Sequence, residues 1–220
     1  MRITLTYTGE LIGKQKDALQ GRPNKTADHV HDIRKRFHAQ LKEHWCNNPF
    51  LSNHESFPQD YGLEHSAPDG IARISPNLEE RQPLRNFIPD LHKIGNYRFL
   101  PLVRSEWKLQ CELDILFLRK NPPGSLIQAG DIDNRIKTLL DALRMAQNSQ
   151  ELGQNSVPEK DENPFYCLLE DDQLVSRLNI ETDRLLEIDE EGSAKDRWVK
   201  LVVRAQIKPI ATTTFNLSFA

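Results

Sequence analysis

Two long stretches of two-residue alternation constrain this chain more than any other feature. Leu109, Cys111, Leu113, Ile115 and Phe117 alternate with Lys108, Gln110, Glu112 and Asp114, while Val199, Leu201, Val203, Ala205 and Ile207 alternate with Lys200, Arg204 and Gln206. A strand sends successive side chains to opposite faces, so each stretch predicts a strand with one apolar and one polar face. An apolar sheet face needs a cover, and helices are its usual source. Val30, Ile33, Phe37, Leu41 and Trp45 recur at helical spacing behind the capping residues Thr26, Ala27 and Asp28. A second helix is expected from about Asp133. Its buried face carries Ile136, Leu139, Leu140 and Leu143, and its other face carries Asn134, Lys137, Asp141 and Arg144.

Shorter strands are expected at residues 2–8, around Tyr97, Phe99 and Val103, from Phe165 to Leu169, and less cleanly at Val175, Leu178 and Ile180. The fold class is therefore α/β (α+β), a small mixed β-sheet packed by two main helices. The 220 residues fit a single domain, with 38% hydrophobic and 28% charged side chains. Pro49, Pro58, Pro68, Pro76, Pro83 and Pro89 break periodicity over about 47–96, which reads as an insertion of loops and short helices. Gly153, Pro158 and Pro164 punctuate a polar stretch at about 147–164, read as a mobile surface loop.

No apolar run reaches bilayer length, and the alternating start at Met1–Tyr7 lacks the apolar core of a signal peptide. A cytoplasmic protein without membrane contact is expected. Cys46, Cys111 and Cys167 are far apart and form no ligand-like spacing, which argues for buried free thiols and against a zinc ribbon or disulfide framework. His54, His65 and His92 are isolated too, and none is expected to hold a metal.

A net charge of -3 argues against coating nucleic acid by bulk charge. The charge is unevenly spread, however. Lys14, Lys16, Arg22, Lys25, Arg34, Lys35, Arg36 and Lys42 fall in the first quarter of the chain, and Glu187, Asp189, Glu190, Glu191 and Asp196 crowd a later loop. The helix face carrying Lys35, His38 and Lys42 reads either as a solvated surface or as a track for phosphates.

The chemistry concentrates in Gly130-Asp131-Ile132-Asp133-Asn134-Arg135-Ile136-Lys137 and the later Glu170-Asp171-Asp172. If Asp131 and Asp133 lie in extended backbone before the helix, both carboxylates leave on one side. A third carboxylate from the distant acidic run would complete an oxygen-rich site suited to Mg²⁺ or Mn²⁺. An EF-hand loop is excluded, because its fifth, sixth and twelfth positions would be Arg135, Ile136 and Ala142. Helix capping explains one aspartate, but not two together with a remote acidic pair. A sugar cleft finds little support at 7% aromatic residues. Neither a G-x-S-x-G elbow nor a phosphate loop occurs, so a nucleotide cofactor is not expected.

The run from Gly130 to Leu143, followed by Leu168-Leu169-Glu170-Asp171-Asp172-Gln173-Leu174-Val175, resembles the RusA-like Holliday junction resolvases, which carry a D-[IL]-D-N-x-x-K-x-x-x-D-A-L helix and a later D-D-x-x-V segment. The resemblance covers mainly residues 108–180. It implies a small α/β fold, a homodimer and Mg²⁺-dependent cutting of branched DNA. Residue by residue, Asp131, Asp133 and Asp172 match the family's metal-binding acids, with Asp171 as a neighbour, and Lys137 matches the catalytic lysine. Asn134 is expected to steady the site or bond to backbone, and Asp141 could orient Lys137 from one turn away. Lys14, Lys16, Arg22, Lys25, Arg34, Lys35 and Lys42 are the candidate nucleic-acid contacts. The chain departs from the family pattern in its length, in the 47–96 segment and in Gln173-Leu174 after the paired aspartates. These departures leave open DNA against RNA, the substrate's shape, and a catalytically silent module that binds nucleic acid or protein.

Overall fold

The computed structural model describes residues 1–13, 24–58, 80–120, 131–155, 157–186, 197–213 and 216–219; the side chains of Asn24, Lys25 and Asp131 lie outside that description. In chain order the elements are β1 (Arg2–Glu10), α1 (Asn24–Asn47), α2 (Pro49–Asn53), β2 (Glu55–Ser56), β3 (Gln82–Pro83), α3 (Leu84–Leu91), β4 (Lys93–Ile94), β5 (Tyr97–Val103), β6 (Leu109–Arg119), α4 (Asp131–Leu143), β7 (Phe165–Leu169), β8 (Val175–Arg184) and β9 (Trp198–Pro209). No helix among the described residues is long and apolar enough to cross a membrane.

The alternating stretches become β6 and β9, which pair antiparallel at the centre of a four-stranded sheet ordered β1-β9-β6-β8. Register follows the apolar pattern. Leu5 opposes Val203, Val203 opposes Ile115 and Ile115 opposes Ile180, a row that crosses all four strands on one face. A one-residue slip would turn every such row outward. The α1 stripe of Val30, Ile33, Phe37, Leu41 and Trp45 and the α4 residues Ile136, Leu139 and Leu143 belong to the same buried cluster as this face. Each fully buried large aliphatic side chain there contributes roughly 1.5–3 kcal/mol. The opposite face carries ion pairs of Glu112 with Lys208 at 2.7 Å and of Arg177 with Asp114 at 3.1 Å. Strand β8 runs parallel to β6 along the sheet's edge with most side chains exposed, which explains its weak alternation.

A second sheet, β4-β5-β7, pairs β5 and β7 in parallel. Its Tyr97, Phe99, Phe165 and Cys167 pack with Met145, Ala146 and Leu152 in a satellite cluster. Of the three cysteines, Cys111 and Cys167 are buried and Cys46 is exposed.

The proline-rich insertion resolves in part into α2, the β2–β3 pair, α3 and β4, while 59–79 lies outside the described residues. Asn48 caps α2 by accepting from Phe50 N and Leu51 N, with Pro49 placed where a missing N–H costs no helical bond. The stretch at 147–164, expected as a mobile surface loop, instead packs on α1. Glu162 and Leu152 are buried, and Gln154 N donates to Asp28 at 2.7 Å. Gly153 has φ +61°, and a Cβ there would overlap the Asp28 carboxylate, so glycine alone suits this close approach.

Candidate functional site

Helix α4 begins at Asp131, so Asp131 and Asp133 are both helical. The expected extended backbone is absent, and with it the alternation that would have put the two aspartates on one side; helical positions i and i+2 do not share a face. The first turn is pinned by the segment that follows β1. A Cβ on Gly13 would lie 2.7 Å from Asn134 Cβ and 3.3 Å from Arg135 N, so the backbone there runs flush against α4. Thr138 Oγ1 lies 3.0 Å from both the Ile12 and Asn134 carbonyls, and Ile12 N donates to His29 Nε2 at 3.1 Å. Asn134 is half-buried in this contact. Asp133 and Lys137 are exposed and stand at i and i+4, one turn apart on the same face.

The acidic run follows β7. Asp171 Oδ1 accepts from Gln173 N at 2.9 Å, capping a short 3₁₀ turn at Asp172–Leu174. Burial and then the adjoining Asp171 carboxyl, by hydrogen bond and by charge, raise the Asp172 pKa; Arg144 opposes the rise and Asp141 adds to it. The acidic turn therefore lies within electrostatic reach of the C-terminal end of α4. There Arg144 bridges to Leu169 across the backbone, and Met145 N donates to Leu169 O at 2.9 Å.

Asp141, expected to orient Lys137, is instead buried and accepts from Arg144 Nη2 at 2.7 Å. Arg144 also donates to both carboxylate oxygens of Glu151, at 2.9 and 3.1 Å. Asp133 lies eight residues before Asp141, or about 12 Å along the helix axis. Among the described residues, the group of three with metal-ligand atoms close together does not include Asp133, Asp171 or Asp172.

The basic face expected on α1 needs correction. Arg34 is fully buried and donates to the carbonyls of Asp141 at 2.8 Å and Arg144 at 3.0 Å, so it ties α1 to α4 and cannot meet a phosphate. Lys35 is paired with Glu159 at 3.0 Å and Glu162 at 2.9 Å, and Lys42 donates to the Asp161 carbonyl at 2.9 Å. His38 is buried beneath them and accepts from Tyr166 N at 2.9 Å through Nδ1. The face is consumed by the 159–162 turn. Lys14, Lys16 and Arg22 lie outside the described residues, as does the Lys25 side chain.

A second polar cluster was not expected from the sequence. His92, Glu106 and Glu170 each offer a ligand atom, all within 4.8 Å of one another. His92 ends α3 and is 7% exposed, Glu106 lies in the turn after β5, and Glu170 follows β7. Burial lowers the His92 pKa, with Glu106 and Glu170 acting against the fall and Arg104 adding to it. His54, by contrast, packs against Phe50 and Trp107 with ring centroids 4.9 and 6.0 Å away. His65 lies outside the described residues.

Comparison of the chain with protein-family models, curated proteins and solved structures returns no match in any of the three.

Proposed function

We propose that this protein is a metal-dependent endonuclease acting on branched or otherwise structured DNA, as its resemblance to the RusA-like resolvases implies. The observation that carries the reading is the exposed pair of Asp133 and Lys137, one turn apart on a helix whose far end adjoins Asp171 and Asp172. A carboxylate and an ammonium group at that spacing can serve a cation and a phosphate side by side. The donor set fits a hard ion, because Asp133, Asp171 and Asp172, together with Asp131, offer only oxygen, and Asp171 and Asp172 crowd like charges that a cation would relieve. Asp133 at one end of α4 and Asp171 with Asp172 beside the other are the candidates to hold Mg²⁺ or Mn²⁺, which when bound would supply Lewis-acid polarisation of a phosphodiester.

Lys137 would offset charge that develops on the phosphate or on the leaving oxygen. Asn134 and Thr138 fix the helix turn that presents Asp133 and Lys137. Cutting a two-fold symmetric junction on both sides requires paired sites, so a homodimer is part of the proposal. The test incubates the protein with Mg²⁺ or Mn²⁺ and a panel of junction, flap and duplex DNA. Cleavage that Asp133→Asn removes is the expected result; no cleavage of any substrate, or equal cleavage by the variant, overturns the reading.

One observation favours a second reading, a catalytically silent module that binds nucleic acid or protein. Asp133, Asp171 and Asp172 do not converge in one ligand group among the described residues. That module would bind without metal and would be indifferent to Asp133→Asn, and any nucleic-acid binding would weaken with salt.

A further inference from the structure

We propose that His92 Nε2 and the carboxylates of Glu106 and Glu170 form a site for one divalent transition-metal ion of the Zn²⁺ class, with water completing a four-coordinate shell. The proposal does not rest on the nuclease reading, since Asp133, Lys137, Asp171 and Asp172 take no part in it, and Glu170 enters only as the first residue of the acidic run.

The histidine carries the argument. Its side chain is 7% exposed, and its Nε2 is a buried atom with no hydrogen-bond partner. A buried polar atom left in that condition destabilises a fold; His44 Nε2 and Trp45 Nε1 share the condition, and His92 differs in that its ring nitrogen has two carboxylates within 4.8 Å. Nε2 faces Glu106 Oε1 at 3.5 Å. That separation is too long for a good hydrogen bond. It matches the spacing of roughly 3.4 Å that adjacent ligand atoms adopt about a tetrahedral ion with bonds of about 2.1 Å.

Glu170 is already oriented. Its Oε2 accepts from Ser105 N at 2.7 Å and from Ser105 Oγ at 2.8 Å, the kind of outer hydrogen bonds that aim a ligating carboxylate. Glu106 is partly exposed and has the rotamer freedom to close the remaining gap. Charge favours a cation as well. Among the described residues, the charges that act on His92 are the two carboxylates and Arg104, whose guanidinium stacks 3.8 Å over the Trp107 ring. Those charges sum to a negative value that a divalent ion would offset. One imidazole with two carboxylates is a ligand set that suits Zn²⁺, and Mg²⁺ is poorly served by a nitrogen donor. Bound there, the ion would join the end of α3, the turn after β5 and the residue that precedes Asp171.

The experiment uses the full chain, stripped by a chelator and then titrated with Zn²⁺ against a chromophoric competitor in the presence of excess Mg²⁺. Uptake of one equivalent is expected, with a higher melting temperature and, when Co²⁺ replaces Zn²⁺, the visible bands of a four-coordinate site. Glu106→Gln, at a partly exposed position, should weaken uptake by at least ~10-fold and remove those bands, while the metal-free variant melts like the metal-free parent. The double variant Asp133→Asn with Asp172→Asn should keep its equivalent. Failure of the parent to take up Zn²⁺ would overturn the proposal. So would unchanged affinity in Glu106→Gln, or loss of the equivalent in the double aspartate variant, which would assign the ion to Asp133 and Asp172 instead.

Discussion

Helix α4 differs at its two ends. Its C-terminal end carries Asp141 and Arg144, both buried, bonded to each other at 2.7 Å and tied to α1 through Arg34. The first turns carry Asp133 and Lys137, both exposed. Desolvated charges must be fully partnered or they destabilise the fold, so the C-terminal end is restricted to one arrangement. Asp133 and Lys137 face no such demand and can be exchanged without disturbing the core, although Arg135 and Ile136 between them are buried. The helix is thus anchored by paired buried charges at one end and leaves two exposed charged side chains at the other, so substitutions at the two ends should be separable in their effect on stability.

The comparison can be broken most forcefully at the anchored end. Arg144→Ala removes the guanidinium that pairs with Asp141 and Glu151 and should cost about 3–5 kcal/mol, measured by urea denaturation. A loss no larger than that of a surface substitution would show that the end is not an anchor. At the opposite end, Asp133→Asn should lower Mg²⁺-dependent cleavage by about 10²–10³-fold, while the unfolding free energy stays within about 0.5 kcal/mol of the parent. A large fall in stability there would erase the distinction between the ends.

The pH response should report on the anchored end. Burial, with Arg34 and Lys35 adding to it, lowers the His31 pKa from its ordinary 6.5 to about 3. The unfolded chain therefore takes up a proton that the folded chain refuses between these values. This part of the stability is complete above about pH 6.5 and is lost as the pH falls toward 3. Acid titration of the melting temperature should show the decline, and His31→Gln should make it shallower. The smallest expected effect is midway along α4. Thr138→Val removes the hydroxyl that reaches the Ile12 carbonyl and should cost about 1 kcal/mol, with a measurable change in cleavage only if the first turn of α4 shifts.

Much of the fold is legible in the chain. The alternation at Leu109–Phe117 and Val199–Ile207 anticipates β6 and β9, and the stripe from Val30 to Trp45 anticipates the buried face of α1. These patterns are local, so short windows suffice to read them. The polar faces are where the reading fails. Arg34 looks like a surface cation, yet its partners lie 107 and 110 residues away. Asp141 looks like a partner for Lys137 one turn back, but tertiary packing turns it to Arg144. His92, Glu106 and Glu170 carry no motif spacing because three separate elements bring them together.

Periodicity by itself thus determined the central strands, the two main helices and the polar face of α4 that carries Lys137, because backbone geometry repeats over a few residues; that Asp133 is helical and shares a face with Lys137 came from the structure. Only the tertiary structure decided which charges are buried, that the basic face of α1 is spent on the 159–162 turn, and that an isolated histidine meets two glutamates. Desolvation and charge pairing depend on which distant segments come into contact, and no local window contains that information.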